Sequence, residues 1–279
     1  MEALTGESYH GGMLTTTILA LAPLLFSGQE EKAPFRRIEF ASSDGLMITA
    51  DLYAPHEDPK TPFLLLCHQA RWSRGEYRQT APRLNAMGFN CMAIDQRSGE
   101  AANNIKNETA KAAKAKGLGM SYLDARPDIV AALRHSRKEY AKGPLIVVGS
   151  SYSSALVLEI VGNEKKIADG VISFAPGEYF GKLGASGSFV RDGAKNLKCP
   201  VFITSAKKEE SSWRPIYKVI PSKTKTFYLP ETKGNHGARA LWKRFDDSPG
   251  YWEALTAFLD EHFPRKVATS ASHEKQAGK

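Results

Sequence analysis

The sequence predicts an α/β fold: a mostly parallel central sheet covered by helices on both faces. Three observations carry this expectation. Leu145, Ile146, Val147 and Val148 form an uninterrupted apolar run, three of the four β-branched, which reads as a strand buried on both faces. That run passes through a cluster of small residues into Ala155, Leu156, Leu158, Ile160 and Val161, which are spaced as in a helix. Elsewhere, apolar runs of strand length alternate with helical patterns, and strands separated by helices imply right-handed crossovers and parallel pairing. With 279 residues, 42% of them apolar, the chain can bury one sizeable core.

The folded domain is expected over residues 35–264. Residues 35–40 and 46–53 alternate in polarity around Ser43-Asp44-Gly45, a hairpin signature. Residues 62–68 are a continuous apolar strand, 77–87 a helix stopped by Gly88, and 89–95 the next strand. The polar, Lys- and Ala-rich segment 101–119 reads as a loop with a short surface helix whose lysines are solvated. Residues 127–140 have one apolar helical side and lead into the strand at 145–148. Strands follow at 170–175, 200–205 and 224–229, then a helix at 238–245 and an amphipathic helix at 251–263. Residues 265–279 are polar and are expected to be a disordered tail.

Three cysteines, Cys67, Cys91 and Cys199, each lie in or against a core strand and read as small buried hydrophobes, so neither a disulfide framework nor a metal site is expected. The net charge of +8 comes without an aromatic-interleaved basic motif, which argues against a nucleic-acid partner. Residues 14–26 are uncharged and mostly apolar, too short for a membrane span but of signal-peptide length; residues 1–34 are therefore expected to be signal peptide and linker, and the protein to be periplasmic or secreted. It would remain cytoplasmic if that run is not a signal peptide, and Met13 is an alternative start.

At a turn between a buried strand and a helix, the central residue is held in a strained conformation that lifts its side chain above the sheet, and the residues two positions either side must be small. Gly149-Ser150-Ser151-Tyr152-Ser153 meets that demand with Ser151 at its centre, and the helix that follows turns its positive end toward any charge developing there. The pentapeptide resembles the nucleophile elbow of α/β-hydrolases, G-x-S-x-G, with Ser153 in place of the last Gly.

A serine hydroxyl needs a base and a group to orient the base. His236, alone among the seven histidines, stands in a loop after the last expected strand, where strand ends gather in a parallel sheet. The resemblance implies an acid shortly after the strand at 200–205. By position that is Glu209, where most relatives have Asp; Glu210 is the near alternative, and Glu178, after the preceding strand, is the less common placement. It further implies an oxyanion hole from the backbone N–H of Tyr152 and of Ala70, the latter in His68-Gln69-Ala70, where relatives often carry His-Gly-x. His68 itself is expected to shape that loop, as is Asp95-Gln96-Arg97. Only about 24 residues (176–199) separate the strand after the elbow helix from the next, too few for a large cap domain.

The closest resemblance within the superfamily is to the dienelactone-hydrolase-like serine hydrolases and esterases, although the namesake's nucleophile is Cys. What it implies is a serine ester hydrolase acting on a small-molecule ester through an acyl-enzyme, with no cofactor. A peptidase or amidase on the same residues, and a non-catalytic binding protein of the same fold, are the alternatives. Trp72, Tyr179, Phe180, Phe189 and Trp213 fall in loops that would wall the pocket or pack beneath it.

Overall fold

A computed structural model describes residues 34–265. The apolar run 14–26 and all but the first residue of the 265–279 tail lie outside the described residues. In chain order the elements are β1 (Arg36–Ala41), β2 (Met47–Tyr53), β3 (Phe63–Cys67), α1 (Thr80–Ala86), β4 (Asn90–Ile94), β5 (Ala101–Ala102), β6 (Ile105–Lys106), α2 (Glu108–Ala115) and α3 (Arg126–Glu139). The second half contributes β7 (Leu145–Ser150), α4 (Tyr152–Asn163), β8 (Gly170–Phe174), α5 (Phe189–Ala194), β9 (Val201–Thr204), α6 (Glu210–Val219), β10 (Lys225–Tyr228) and α7 (Ser248–His262).

Eight strands make one sheet in the order β1-β2-β4-β3-β7-β8-β9-β10. The β1–β2 and β2–β4 pairs are antiparallel and the other five are parallel, as the strand–helix alternation implies. Strand β7 sits in the middle, paired with β3 and β8. All its residues are buried, and each of its Leu, Ile and Val side chains gains about 1.5–3 kcal/mol from leaving water.

Alternation along the central strands divides the core into two layers. Leu65, Cys67 and Val147 face a cluster with Ile129, Leu133, Leu156, Ile160, Trp213 and Ile216, from α3, α4 and α6. Leu64, Leu66, Ile146 and Val148 face the opposite cluster, with Ala81 and Leu84 of α1 and Trp252, Leu255, Phe258 and Leu259 of α7. The sheet is thus covered on both faces, as expected. Among the described residues no helix is long and apolar enough to cross a membrane.

The structure corrects several element readings. The helix expected at 238–245 is a single 3₁₀ turn, Ala238–Leu241, because Trp242 adopts an extended conformation and sends its indole N–H to the Glu76 carbonyl. Helices α5 and α6 fall where no helix is expected. The first is six residues long and contains Gly193, and the second carries Pro215 in its interior. Helix α2 is docked rather than merely solvated: Thr109, Ala110 and Ala113 are buried, and Thr109 Oγ1 accepts the Thr49 N–H. Cys199 is only partly buried, since β9 begins at Val201.

The Asp95-Gln96-Arg97 turn is loop architecture. Asp95 accepts from the Arg74 guanidinium at 2.6 Å and from two backbone amides, while Arg97 is forked onto Asp128 and reaches Asp44. Burial holds the Asp95 carboxyl up at about 6 in spite of Arg74.

Candidate active site

Ser151 stands between β7 and α4 with φ +57° and ψ −120°, a conformation that costs a non-glycine residue about 1–3 kcal/mol. The surroundings enforce it. The Ser151 N–H is held by the Phe174 carbonyl at 2.8 Å. At Gly149, a Cβ would lie 2.5 Å from the Ser154 Cα, so strand and helix approach too closely for any side chain there. Ser153, the departure from the G-x-S-x-G pattern, makes use of its hydroxyl: Oγ accepts the Ser150 N–H at 2.8 Å and faces the Cys67 carbonyl at 2.9 Å, tying the turn to β3.

His236 lies beyond β10 in a loop fixed by Tyr251, whose hydroxyl accepts the Asn235 N–H and donates to the Ser205 carbonyl. His236 Nε2 is 2.8 Å from Ser151 Oγ, and Nδ1 is 2.7 Å from Glu209 Oε1. A carboxylate can only accept, so the ring proton is on Nδ1 and Nε2 is free to accept the serine hydroxyl. Glu209 ends a 3₁₀ turn, Lys207–Glu209, after β9, and its second oxygen accepts the Ala206 N–H at 3.1 Å. The longer Glu is thus folded back on its own turn, which brings its carboxylate to the distance at which His236 is held. The three side chains are partly exposed, at the carboxyl end of the sheet.

The strand order, the positive-φ serine and the Ser–His–acid line together match a recurrent architecture, and comparison with known proteins identifies it. A family model described as serine aminopeptidase, S33, matches residues 58–182. The chain is similar in structure to an esterase of Pyrococcus furiosus (TM-score 0.57, 17% identity, 82% of this chain and 92% of that one) and to a dienelactone hydrolase of Anabaena variabilis (TM-score 0.61, 12% identity, 82% and 99%). It is also similar to Est1E of Butyrivibrio proteoclasticus, solved with ferulic acid bound (TM-score 0.62, 14% identity, 81% and 98%). The chain has the α/β-hydrolase fold. No curated protein matches it in sequence.

Within this fold the other acids considered are engaged elsewhere. Glu210 pairs with Arg214 one turn along α6, and Glu178 accepts the N–H groups of Val190 and Arg191 at the start of α5. The amides of Tyr152 and Ala70 find no acceptor among the described residues: Tyr152 is the first residue of α4, where an N–H has no partner within the helix, and Ala70 lies in the turn after β3. Gln69 needs no glycine-like backbone, because the left-handed residue of this turn is Arg71, at φ +64°. His68 is structural. Nδ1 donates to the Gln69 carbonyl, Nε2 accepts the Gln96 N–H, and burial lowers its pKa to about 4, so it stays neutral.

Phe180 and Trp213 are packed beneath the loops, and Trp72 is stacked on Trp242 at 5.1 Å; Tyr179 is the one aromatic of that group more than a third exposed. Among the described residues no group of three or more His, Cys, Asp and Glu side chains is placed to hold a metal ion. Sequence reasoning misses Glu76 and Ser150, which lie directly beneath the site. Nothing in Arg74-Gly75-Glu76-Tyr77 distinguishes a buried acid from one in a solvated loop.

Proposed function

We propose that this α/β-hydrolase is a serine ester hydrolase. The observation that carries the reading is the unbroken line from Ser151 Oγ through His236 to Glu209 at 2.8 and 2.7 Å, on a serine held at positive φ. In the proposed reaction Ser151 Oγ adds to the acyl carbon while its proton passes to His236 Nε2, and Glu209 stabilises the imidazolium through Nδ1–H. The carbonyl oxygen, now anionic, is met by the amides of Tyr152 and Ala70, each worth about 10²–10³ in rate. Collapse of this intermediate breaks the bond to the alcohol oxygen, which takes the proton from His236. A water molecule then repeats the sequence on the acyl-enzyme, releasing the carboxylic acid and restoring Ser151. No cofactor enters these steps.

The test is labelling with a fluorophosphonate together with hydrolysis of p-nitrophenyl esters of increasing chain length. Labelling and turnover that both vanish in Ser151→Ala support the reading; a wild type that is neither labelled nor active is a binding protein. Amide or peptide cleavage on the same residues is a second reading, favoured by the description of the matching family model. Turnover of aminoacyl p-nitroanilides faster than of esters would establish it.

A further inference from the structure

Glu76, in the 3₁₀ turn Arg74–Tyr77, is fully buried and has no part in the reaction proposed above. Its carboxylate is nonetheless joined to all three loops that meet at Ser151. Oε2 accepts the N–H of Gln69, the residue before Ala70, at 2.7 Å. Oε1 accepts the hydroxyl of Ser150, the residue before Ser151, at 2.7 Å. That hydroxyl in turn accepts the N–H of Ala238, two residues beyond His236, at 2.8 Å. The packing around these bonds is tight: a Cβ on Gly237 (φ +71°) would lie 2.6 Å from Ser150 Oγ and 3.0 Å from Gln69 Oε1. On the other side, the Glu76 carbonyl accepts the indole N–H of Trp242, whose ring stacks on Trp72.

We propose that Glu76 is a positioning residue, whose ionised carboxylate sets the Ala70 amide and His236 in register with Ser151 Oγ; the inference rests on the ester-hydrolase reading. A buried acid costs free energy unless every group facing it donates to it, and those facing Glu76 do. Besides Ser150 and Gln69 they include the backbone amide of Arg239, whose guanidinium adds a favourable charge. The remaining titratable neighbours, Cys67, Tyr77 and Tyr152, are neutral, their pKa values raised by burial. Desolvation in turn raises the Glu76 carboxyl to about 7. A proton added to either oxygen turns an acceptor into a donor that meets another donor, so one of the two ties is lost. A neutral amide at this position has the same defect at every pH.

The experiment compares wild type, Glu76→Gln and Ser150→Ala on p-nitrophenyl acetate across pH, with active sites counted by fluorophosphonate titration. Because a displacement of about 1 Å costs on the order of 10² in rate, kcat per titrated site should fall by roughly 10–100-fold in Glu76→Gln, with KM within about threefold of wild type. As pH falls through about 7, where Glu76 takes up its proton, wild-type kcat/KM should drop toward that of Glu76→Gln, so that their ratio narrows from roughly 10–100 toward one. Ser150→Ala, which removes the donor to Glu76 Oε1 and the acceptor of the Ala238 N–H but leaves the tie to Gln69, should lower kcat in the same way and serves if Glu76→Gln does not fold. A role confined to folding predicts fewer active sites at an unchanged kcat per site; that result in either variant, or a ratio of wild type to Glu76→Gln that does not change with pH, overturns the proposal. Failure of the hydrolase reading itself would show instead in the wild type, as absence of labelling and turnover.

Discussion

Replacing Glu209 by Gln tests the most demanding consequence of the geometry. Both oxygens of Glu209 act as acceptors, one for the His236 Nδ1–H at 2.7 Å and one for the Ala206 N–H at 3.1 Å. A glutamine has one acceptor and one donor for those two places. The Ala206 amide can only donate, whereas an imidazole can exchange tautomers, so the glutamine oxygen turns to Ala206 and its NH₂ to Nδ1. The ring proton then moves to Nε2 and faces the Ser151 hydroxyl, which loses its base. The side chain keeps its shape and burial, so the defect is chemical: kcat/KM should drop on the order of 10⁴-fold, equivalent to about 5 kcal/mol of transition-state stabilisation. Tm should move by no more than about 2–4 °C, the shift that 1 kcal/mol produces in a domain of this size. Initial-rate kinetics on p-nitrophenyl acetate with a thermal melt of the same sample read both quantities. A Glu209→Gln enzyme within tenfold of wild type would refute the assignment of Glu209 as the group that orients His236.

Three further outcomes follow from the same coordinates. Ser153→Ala leaves the buried Ser150 N–H without its acceptor and should cost about 1–3 kcal/mol in urea unfolding, more than its small change in volume would suggest. Glu210→Ala and Glu178→Ala remove carboxylates paired away from His236, and kcat/KM should stay within about threefold of wild type; a loss of 10³ or more in either would move the acid role to it. For Glu76, whose native pKa of about 7 lies above the ordinary value of 4.5, the folded chain holds a proton between those pH values that the unfolded chain has lost. Stability therefore falls as pH rises through that window, by about 3 kcal/mol at most, and Glu76→Gln escapes this loss. Urea unfolding at pH 5 and pH 8 should show the difference between variant and wild type shifting in favour of Gln toward pH 8, and a pH-independent difference would contradict it.

The sheet and the approach of Ser151, His236 and Glu209 were legible in the sequence wherever one residue type has only one cheap structural use. Leu145–Val148 are too apolar for anything but a central strand, and Gly149 and Ser151 mark the turn after it. His236 is the histidine in a loop beyond the last strand. Choice between adjacent carboxylates was not legible, because Glu209 and Glu210 differ only in which ends the 3₁₀ turn and which begins α6. Periodicity misled where one aromatic overrode it: the apolar pattern of Ala238, Leu241, Trp242 and Phe245 suggests a helix, but the bond from Trp242 to Glu76 ends the turn early. At α2 the sequence suggested a short surface helix but not its buried face, which is made of alanine and threonine rather than large side chains. Glu76 was illegible for a related reason. An acid's burial depends on donors brought from residues 69, 150 and 239, and local sequence carries no trace of them.

Among the described residues strand β10 pairs on one side only, with β9, and its four residues are all at least partly exposed. The loop that carries His236 hangs from this outermost strand, 85 positions after Ser151. During synthesis Ser151 therefore emerges well before His236, and in a chain arrested before β10 docks its hydroxyl would lack the hydrogen bond to Nε2. On the proposed reading, the same placement links loss of activity to fraying at one margin of the sheet. Amide exchange along β10 should therefore report inactivation by heat or denaturant before the central strands open.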